Sequence, residues 1–342
     1  MRYPEFLKEH GTIGFVAPSF GCASEPYYTA FSHARERFAQ LGYQTKIGPN
    51  CLVENGIGIS NEPALCGEEL NESYCSTEND VIISCGGGEL MCEVVPYIDF
   101  SRIADARPKW YMGFSDNTNF TFLSATLADT AAIYGPCASA FGMEPWHPAI
   151  QDAWDLFCGR INRVHNYDKW EKESQKDEEH PLAPYHVTEP MQLKVFPQGT
   201  DTVTMHGRLI GGCMDCLGNL VGTRFDRVKA FNETYADDGF LWFLESCELN
   251  IMSIRRSIWQ MKEAGWFSHV NGFLIGRPLC FGEEAFGIDQ YRAVTDLLAE
   301  YEVPVIMDLD IGHLSPMMPV VTGAMAHAEV KGNTFVMEYE WR

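Results

Sequence analysis

The chain has 342 residues, more than one hydrophobic core usually serves, so we predict two domains. Its 47 acidic residues outnumber 25 basic ones, and the net charge of −22 disfavours binding to nucleic acid or to anionic membrane surfaces. The N-terminus lacks the apolar core of a signal peptide, and no apolar run is long enough to span a membrane, so we expect a cytoplasmic protein.

The first 160 residues alternate short apolar runs with amphipathic stretches, which predicts a parallel sheet covered by helices on both faces. Residues 28–42 have helical spacing, with Phe31, Ala34 and Phe38 on one face and Gly42 as the stop. A second helix is predicted over residues 120–127. The predicted strands cover residues 12–18, 44–47, 81–84, 110–114 and 131–134.

Residues 161–200 break this rhythm, because a dense charge run at 169–179 is followed by four prolines. We interpret this segment as a solvated connection between domains, with a functional loop as the alternative. From residue 201 onward the alternation resumes. Strands are predicted over residues 203–210, 240–244, 270–275 and 303–307, a helix over 251–264, and an antiparallel hairpin over 326–339.

Ser115 is a candidate nucleophile, because it follows an apolar strand and precedes an apolar helix. A serine at such a strand-to-helix turn exposes its hydroxyl on a sharp corner. The second glycine of the hydrolase elbow is replaced here by Asn117, and a helix N-cap is the alternative role for Ser115.

A run of three glycines, residues 86–88, directly follows the strand at residues 81–84. Consecutive glycines let backbone amides converge on an anion, so Gly87 or Gly88 could form an oxyanion hole with the amide of Asp116. A phosphate cradle and a simple tight turn are the alternatives. A P-loop is excluded, because no Gly-Lys-Ser/Thr follows.

Two downstream residues could complete an acyl-transfer triad. Glu245 ends a strongly apolar strand, where a buried carboxylate needs a partner such as a histidine N–H. A salt bridge to Arg255 or Arg256 is the alternative, and Glu248 is a rival for the same role. His313 lies in a loop bounded by glycine and proline after a strand.

Twelve cysteines are scattered along the chain, and Cys213 and Cys216 form one Cys-x-x-Cys pair. A structural zinc site would need a second pair of ligands, so we expect buried reduced thiols and no metal.

The order of these motifs resembles the LD-carboxypeptidase family of serine peptidases, and more closely its microcin C self-immunity (MccF-like) branch. The resemblance runs nearly end to end. Its motifs include residues 14–19, 87–88, 94–100, 109–118, 134–136, 207–212, 241–245, 275–277 and 312–313.

The resemblance implies a Ser–Glu–His triad of Ser115, Glu245 and His313, and an oxyanion hole from Gly87 or Gly88 with Asp116. It implies an N-terminal Rossmann-like α/β domain with a parallel sheet, here residues 1–160. Residues 161–200 would link it to a smaller, β-rich C-terminal α/β domain, residues 201–342, with the active site between the two. Members are cytoplasmic and commonly homodimeric, and they need no metal or cofactor.

Some positions depart from the family pattern. Glu89 follows the glycine turn where an aromatic residue or asparagine is common, and Cys213 follows the second glycine pair where asparagine is usual. In the MccF-like branch a tryptophan of the inter-domain loop stacks on the nucleobase of the substrate. Trp170 lies in the corresponding loop, and packing on the protein body is its alternative role.

The function implied is hydrolysis of an amide bond in a small peptide or peptidyl-nucleotide, as in detoxification of processed microcin C. The alternative is release of D-alanine from murein tetrapeptides during peptidoglycan recycling. In either case a cation is expected to contact a substrate carboxylate, and Lys109, Arg277 and the arginines at 255 and 256 are the candidates. A non-catalytic nucleotide-binding protein is the further alternative.

Overall fold

The computed structural model of the protein describes residues 1–200 and 202–341. Strands and helices alternate through the first part of the chain, as the apolar periodicity predicts. The elements up to residue 157 are β1 (Thr12–Val16), α1 (Tyr27–Gln40), β2 (Gln44–Ile47), α2 (Pro63–Cys75), β3 (Val81–Ser84), α3 (Met91–Val94), α4 (Phe100–Asp105), β4 (Tyr111–Gly113), α5 (Thr118–Ala128), β5 (Ala132–Tyr134) and α6 (Pro148–Phe157).

The remaining elements are richer in strand. In chain order they are β6 (Arg163–His165), β7 (Lys169–Trp170), β8 (Glu189–Pro190), β9 (Lys194–Phe196), β10 (Thr202–Cys213), α7 (Met214–Leu220), α8 (Val228–Thr234), β11 (Phe240–Glu245), α9 (Ile251–Glu263), β12 (Val270–Gly276), β13 (Glu284–Ala285), β14 (Ile288–Asp289), α10 (Gln290–Leu298), β15 (Val305–Leu309), β16 (Val320–Thr322), β17 (Met325–Lys331) and β18 (Thr334–Glu340).

The first sheet has six strands in the order β16-β5-β4-β3-β1-β2. Its neighbours from β5 to β2 run parallel, and their residues are almost entirely buried except on the edge strand β2. The edge strand β16 is antiparallel to β5. It comes from the last quarter of the chain, so the first sheet is not formed by residues 1–160 alone.

The second sheet has eight strands in the order β6-β18-β17-β10-β11-β12-β15-β9. Its central strands β10, β11, β12 and β15 are parallel, whereas the hairpin β17–β18 adds antiparallel to β10. The edge strands β6 and β9 both come from the segment 161–200. The predicted α/β architecture, a parallel N-terminal sheet and a second β-rich sheet, is confirmed, and the second sheet is mixed.

The carboxyl ends of the parallel strands are the places where a doubly wound sheet binds ligands. The glycine turn follows β3, Ser115 follows β4, Glu245 ends β11, and His313 follows β15. The topology therefore directs four separate chain segments to one cleft. No helix among the described residues is both long and apolar enough to cross a membrane.

Candidate active site

Ser115 occupies a strained corner between β4 and α5. Its φ is +61°, a left-handed conformation that non-glycine residues seldom adopt and that is typical of a nucleophile on a tight turn. A single 3₁₀ turn, Ser115–Asn117, then leads into the helix. Because the turn is this sharp, the hydroxyl projects from the sheet edge into the cleft.

Ser115, His313 and Glu245 are joined by two hydrogen bonds. The Oγ of Ser115 lies 2.8 Å from Nε2 of His313, and Nδ1 of the same ring lies 2.8 Å from Oε2 of Glu245. Glu245 is fully buried, whereas the His313 side chain retains about 14% exposure toward the cleft. The three residues predicted from the sequence thus meet in the geometry that a nucleophile, a base and an orienting carboxylate would require.

The pairing of Glu245 with His313 shifts both pKa values. Burial raises the pKa of Glu245, but the charge of His313 and hydrogen bonds from His313 and Tyr134 outweigh it, so that the pKa lies below its ordinary value. For His313, burial lowers the pKa, but Glu245 and Cys247 reverse this and hold it well above the usual imidazole value. A carboxylate and an imidazole of this kind favour the ion pair that forms when the serine proton moves to the ring.

Tyr134 is a member of the site that sequence reasoning missed. Its hydroxyl donates to Oε1 of Glu245 and accepts the backbone N–H of Ser115 at 3.1 Å. One oxygen therefore links the carboxylate to the nucleophile turn. Tyr134 was part of the motif Tyr134-Gly135-Pro136 at the end of a predicted strand, but nothing in the one-dimensional pattern showed that its hydroxyl turns toward Glu245.

The glycine turn after β3 lies against the nucleophile. A Cβ at Gly87 would sit 3.2 Å from Cβ and 3.3 Å from Oγ of Ser115, a tight contact that would press on the Ser115 side chain. The carbonyl of Gly87 accepts from Phe20, which fixes the peptide plane. Within residues 1–200 and 202–341, the N–H groups of Gly87 and Gly88 donate to no other backbone group. They are positioned as anion donors beside the serine.

Two residues that follow Ser115 hold the turn and the glycine loop together. Asn117 Nδ2 donates to the carbonyl of Gly86 at 2.8 Å and to that of Phe114 at 3.1 Å. The buried Asp116 carboxylate accepts from Ser19 Oγ at 2.5 Å and from the N–H of Met91 at 2.8 Å. The side chain of Asp116 is therefore engaged in anchoring, and its backbone amide is the part that adjoins the nucleophile.

A cavity of about 510 Å³ opens above Ser115 and His313. Aromatic side chains surround it, and the segment 161–200 contributes Glu171, Ser174, Lys176 and Tyr185 to its wall. The Glu171 N–H donates to the carbonyl of Ser315 at 2.7 Å, which ties this segment to the loop of His313. A second concavity of about 700 Å³ lies beside β2 and α2 and contains none of the predicted site residues.

Trp170 packs on the body of the protein. It is 5% exposed, its ring meets Phe281 edge-on at 5.1 Å between centroids, and the guanidinium of Arg277 lies 5.2 Å from its ring centre. It is not part of the cavity wall, whereas its neighbour Glu171 is. The stacking role of Trp170 stays a prediction, and a ligand would reach its ring only after the segment moved.

Other candidates from the sequence lie around the site or away from it. Cys213 and Cys216 are buried reduced thiols beneath the nucleophile turn, and Cys216 Sγ donates to the carbonyl of Ser115 at 3.6 Å. The lysine and arginines predicted as contacts for a substrate carboxylate do not line the cavity, and each has a hydrogen-bond or ion-pair partner elsewhere. Lys109 bonds Asn79 and two carbonyls, Arg277 pairs with Asp310, Arg255 with Asp296, and Arg256 with Ser253.

A hydrogen-bonded Ser–His–Glu arrangement at the carboxyl ends of parallel strands defines a serine hydrolase of the acyl-transfer class. Comparison with known families narrows this class. The N-terminal domain model of the LD-carboxypeptidase family matches residues 13–135, and the C-terminal domain model matches residues 206–328. The chain belongs to the LD-carboxypeptidase (Peptidase S66) family of serine carboxypeptidases.

Relatives from two branches of this family are similar to the chain. It is 25% identical to the microcin C7 self-immunity protein MccF of Escherichia coli, over 75% of this chain and 73% of that protein. It is 23% identical to the murein tetrapeptide carboxypeptidase of Pseudomonas aeruginosa, over 79% and 76%. The structure of MccF in complex with aspartyl sulfamoyl adenosine aligns with a TM-score of 0.81 at 21% identity, covering 100% and 99% of the two chains.

Proposed function

We propose that the protein hydrolyses an amide bond in a small carboxylate-bearing peptide or peptidyl-nucleotide, with Ser115 as nucleophile. The observation that carries this proposal is the pair of 2.8 Å contacts from Ser115 Oγ through His313 to the buried Glu245. In this mechanism His313 takes the serine proton, and Glu245 orients and stabilises the imidazolium. The free amine leaves as the acyl-enzyme forms, and water then hydrolyses the acyl-enzyme.

The tetrahedral intermediate places a negative oxygen beside the glycine turn. The N–H groups of Gly87 or Gly88 and of Asp116 are proposed to stabilise it, a contribution worth about 2.7–4 kcal/mol per donor in related chemistry. The N–H of Ser115 is not available for this role, because it already donates to Tyr134.

The aromatic residues of the cavity wall favour a peptidyl-nucleotide as the substrate class. Its wall includes Phe20, Tyr27, Phe114 and Tyr185, and flat aromatic faces are the usual platform for a nucleobase. Phe20 and Tyr27 are 40% and 51% exposed, so their faces are accessible to a ligand. MccF itself was solved with aspartyl sulfamoyl adenosine, a molecule of this class.

One observation favours the murein alternative. Trp170, the residue predicted to stack on a base, is buried under Arg277 instead of facing the cavity. A tetrapeptide ending in D-alanine needs no stacking partner, and it too presents a terminal carboxylate to the site.

Lys176 is proposed as the cation that meets a substrate carboxylate. Among the described residues of the cavity wall, Lys176 is the one with a lysine or arginine side chain. Its Nζ lies 5.4 Å from the centre of the Tyr27 ring. Burial lowers the pKa of Lys176, so a bound carboxylate would restore the stability of its charged form.

Hydrolysis of both substrate classes, followed by mass spectrometry, tests this proposal. We expect wild type to cleave aspartyl or glutamyl sulfamoyl adenosine, and Ser115→Ala to lose at least about 10⁴-fold in kcat. Release of D-alanine alone would reassign the enzyme to murein peptides. Turnover by Ser115→Ala at the wild-type rate would overturn the assignment of the nucleophile.

Removing the cation tests the carboxylate contact. We expect Lys176→Ala to raise KM about tenfold or more with little change in kcat, because a ground-state contact is lost equally in the transition state. Lys172→Ala is the matched control, since Lys172 is an exposed lysine of the same segment. Equal KM values for the two variants would contradict the role of Lys176.

A further inference from the structure

Three potential metal ligands converge on the solvent face of the second sheet, and none of them belongs to the triad. His206 of β10 and His327 of β17 stand directly opposite each other in the antiparallel ladder. Glu340 of β18 lies on the same face, because His327 pairs with Glu338 and side chains two residues apart share a face. The three side chains form what we call the His-His-Glu cluster.

The ligand atoms of this cluster point at one another. Oε1 of Glu340 lies 2.5 Å from Nε2 of His327 and 3.8 Å from Nε2 of His206. The two imidazoles stack with their centroids 4.1 Å apart and their planes inclined by 24°, and both Nε2 atoms lie within 3.8 Å of the same carboxylate oxygen. All three ligand atoms lie within 4.8 Å of one another.

We propose that the His-His-Glu cluster binds Zn²⁺. Two imidazoles and a carboxylate are a common zinc ligand set, with Zn–N and Zn–O bonds of about 2.0–2.2 Å. Such bonds separate ligand atoms by about 3.3–3.5 Å in a tetrahedral site. The two Oε1–Nε2 distances, 2.5 and 3.8 Å, lie on either side of that spacing, and the side chains of His206, His327 and Glu340 are 37%, 52% and 28% exposed.

Three protein ligands leave a fourth position for water, and the ion would cross-link three adjacent strands. β18 also pairs with the edge strand β6, so the cross-link would stabilise this edge of the second sheet. The overall charge of −22 adds a general attraction for a divalent cation. The His-His-Glu cluster is separate from the triad, because none of its three residues lines the cavity above Ser115 and His313.

Titration of tag-free, chelator-treated protein with ZnCl₂ by isothermal calorimetry tests the proposal. We expect one Zn²⁺ per chain and a rise in Tm on binding, since a ligand that binds only the folded state stabilises it. Mg²⁺ should produce neither effect, because imidazole ligands do not suit it. His327→Ala and Glu340→Gln should each weaken Zn²⁺ binding at least tenfold and abolish the Tm rise.

His180→Ala is the matched control, because His180 is an exposed histidine that contacts Asp177 outside the cluster. It should bind Zn²⁺ as wild type does. Replacement of Zn²⁺ by Co²⁺ separates this site from the twelve thiols: bands of nitrogen and oxygen ligation support the cluster, and strong thiolate charge-transfer bands overturn it. Absence of binding to wild type, or unchanged affinity in both cluster variants, would also overturn the proposal.

Discussion

The hydroxyl of Tyr134 has two hydrogen-bond partners, the carboxylate of Glu245 and the backbone amide of Ser115. Removing it leaves a buried carboxylate short of a donor and a buried amide short of an acceptor, which costs about 1–3 kcal/mol for each group. We predict that Tyr134→Phe lowers kcat about 10- to 100-fold and lowers the free energy of unfolding. Steady-state kinetics and chemical denaturation measure both effects.

Tyr74→Phe is the control for this prediction. Tyr74 is a buried tyrosine whose hydroxyl contacts the backbone of Lys109, away from the cleft. It should lose stability while keeping kcat. Wild-type kcat in Tyr134→Phe would show that the hydroxyl does not position the triad.

In the proposed mechanism, the raised pKa of His313 sets the acid limb of the activity profile. The ring must be neutral to accept the serine proton, so kcat/KM should rise with pH through a midpoint above the ordinary value of about 6.5. Glu245 is the main group that raises this pKa, and Cys247 adds to it; Glu89 also lies within electrostatic reach of the ring. We predict that Glu245→Gln moves the midpoint to lower pH and lowers kcat about 10²- to 10⁴-fold.

The same pair makes a stability contribution of known sign. Because the folded-state pKa of His313 is raised, its contribution is fully present below the unfolded pKa of about 6.5 and is lost as pH rises through the folded pKa. Titration of the His313 ring by NMR in Ser115→Ala and in the double variant with Glu245→Gln measures the shift without turnover. Identical pKa values in the two proteins would contradict this account.

At the scale of elements, the site depends on how closely the loop after β15 approaches the end of β11. Gly312 has φ +106°, and a Cβ there would lie 2.4 Å from Oε2 of Glu245. Gly276 is required nearby, since a Cβ would lie 2.0 Å from the carbonyl of Ile311. The buried ion pair of Arg277 with Asp310 supports the same loop. Glycine at these points therefore lets His313 reach the carboxylate.

We predict that Gly312→Ala displaces Glu245 or the His313 loop and lowers kcat about 100-fold or more, since a misplacement near 1 Å can cost that much. Gly332→Ala in the β17–β18 turn is the matched control: its φ is +58°, and nothing lies within 4 Å of the added Cβ. It should cost about 1–2 kcal/mol of stability from backbone strain and leave kcat unchanged. Equal losses of activity in the two variants would contradict the steric argument.

Across the whole molecule, the strands and helices that surround the triad were predictable because each carries its own apolar period. β2 and β3 lie where the pattern predicts them, and α9 and β11 differ from it by a residue at their ends. The types of the three triad residues were also readable, because each follows or ends a predicted strand. That the three side chains meet in space was predictable only from the resemblance to a family.

Long-range pairing was not predictable from the local pattern. β16 comes from the second half of the chain and pairs at the edge of the first sheet. β6 and β9, from the charged, proline-rich segment, pair at the two edges of the second sheet. These short strands are fixed by their partners and not by a period of their own. The burial of Trp170 under Arg277 is likewise set by neighbours about a hundred residues later in the chain.

Covalent labelling of the nucleophile tests the central claim most directly and requires no knowledge of the substrate. Diisopropyl fluorophosphate should modify the wild-type protein once, with loss of fluoride, and peptide mass spectrometry should place the adduct on Ser115. His313→Ala should react far more slowly, because the hydroxyl then has no base. An adduct on another residue, or equal labelling of Ser115→Ala, would contradict the assignment of Ser115 as the activated serine.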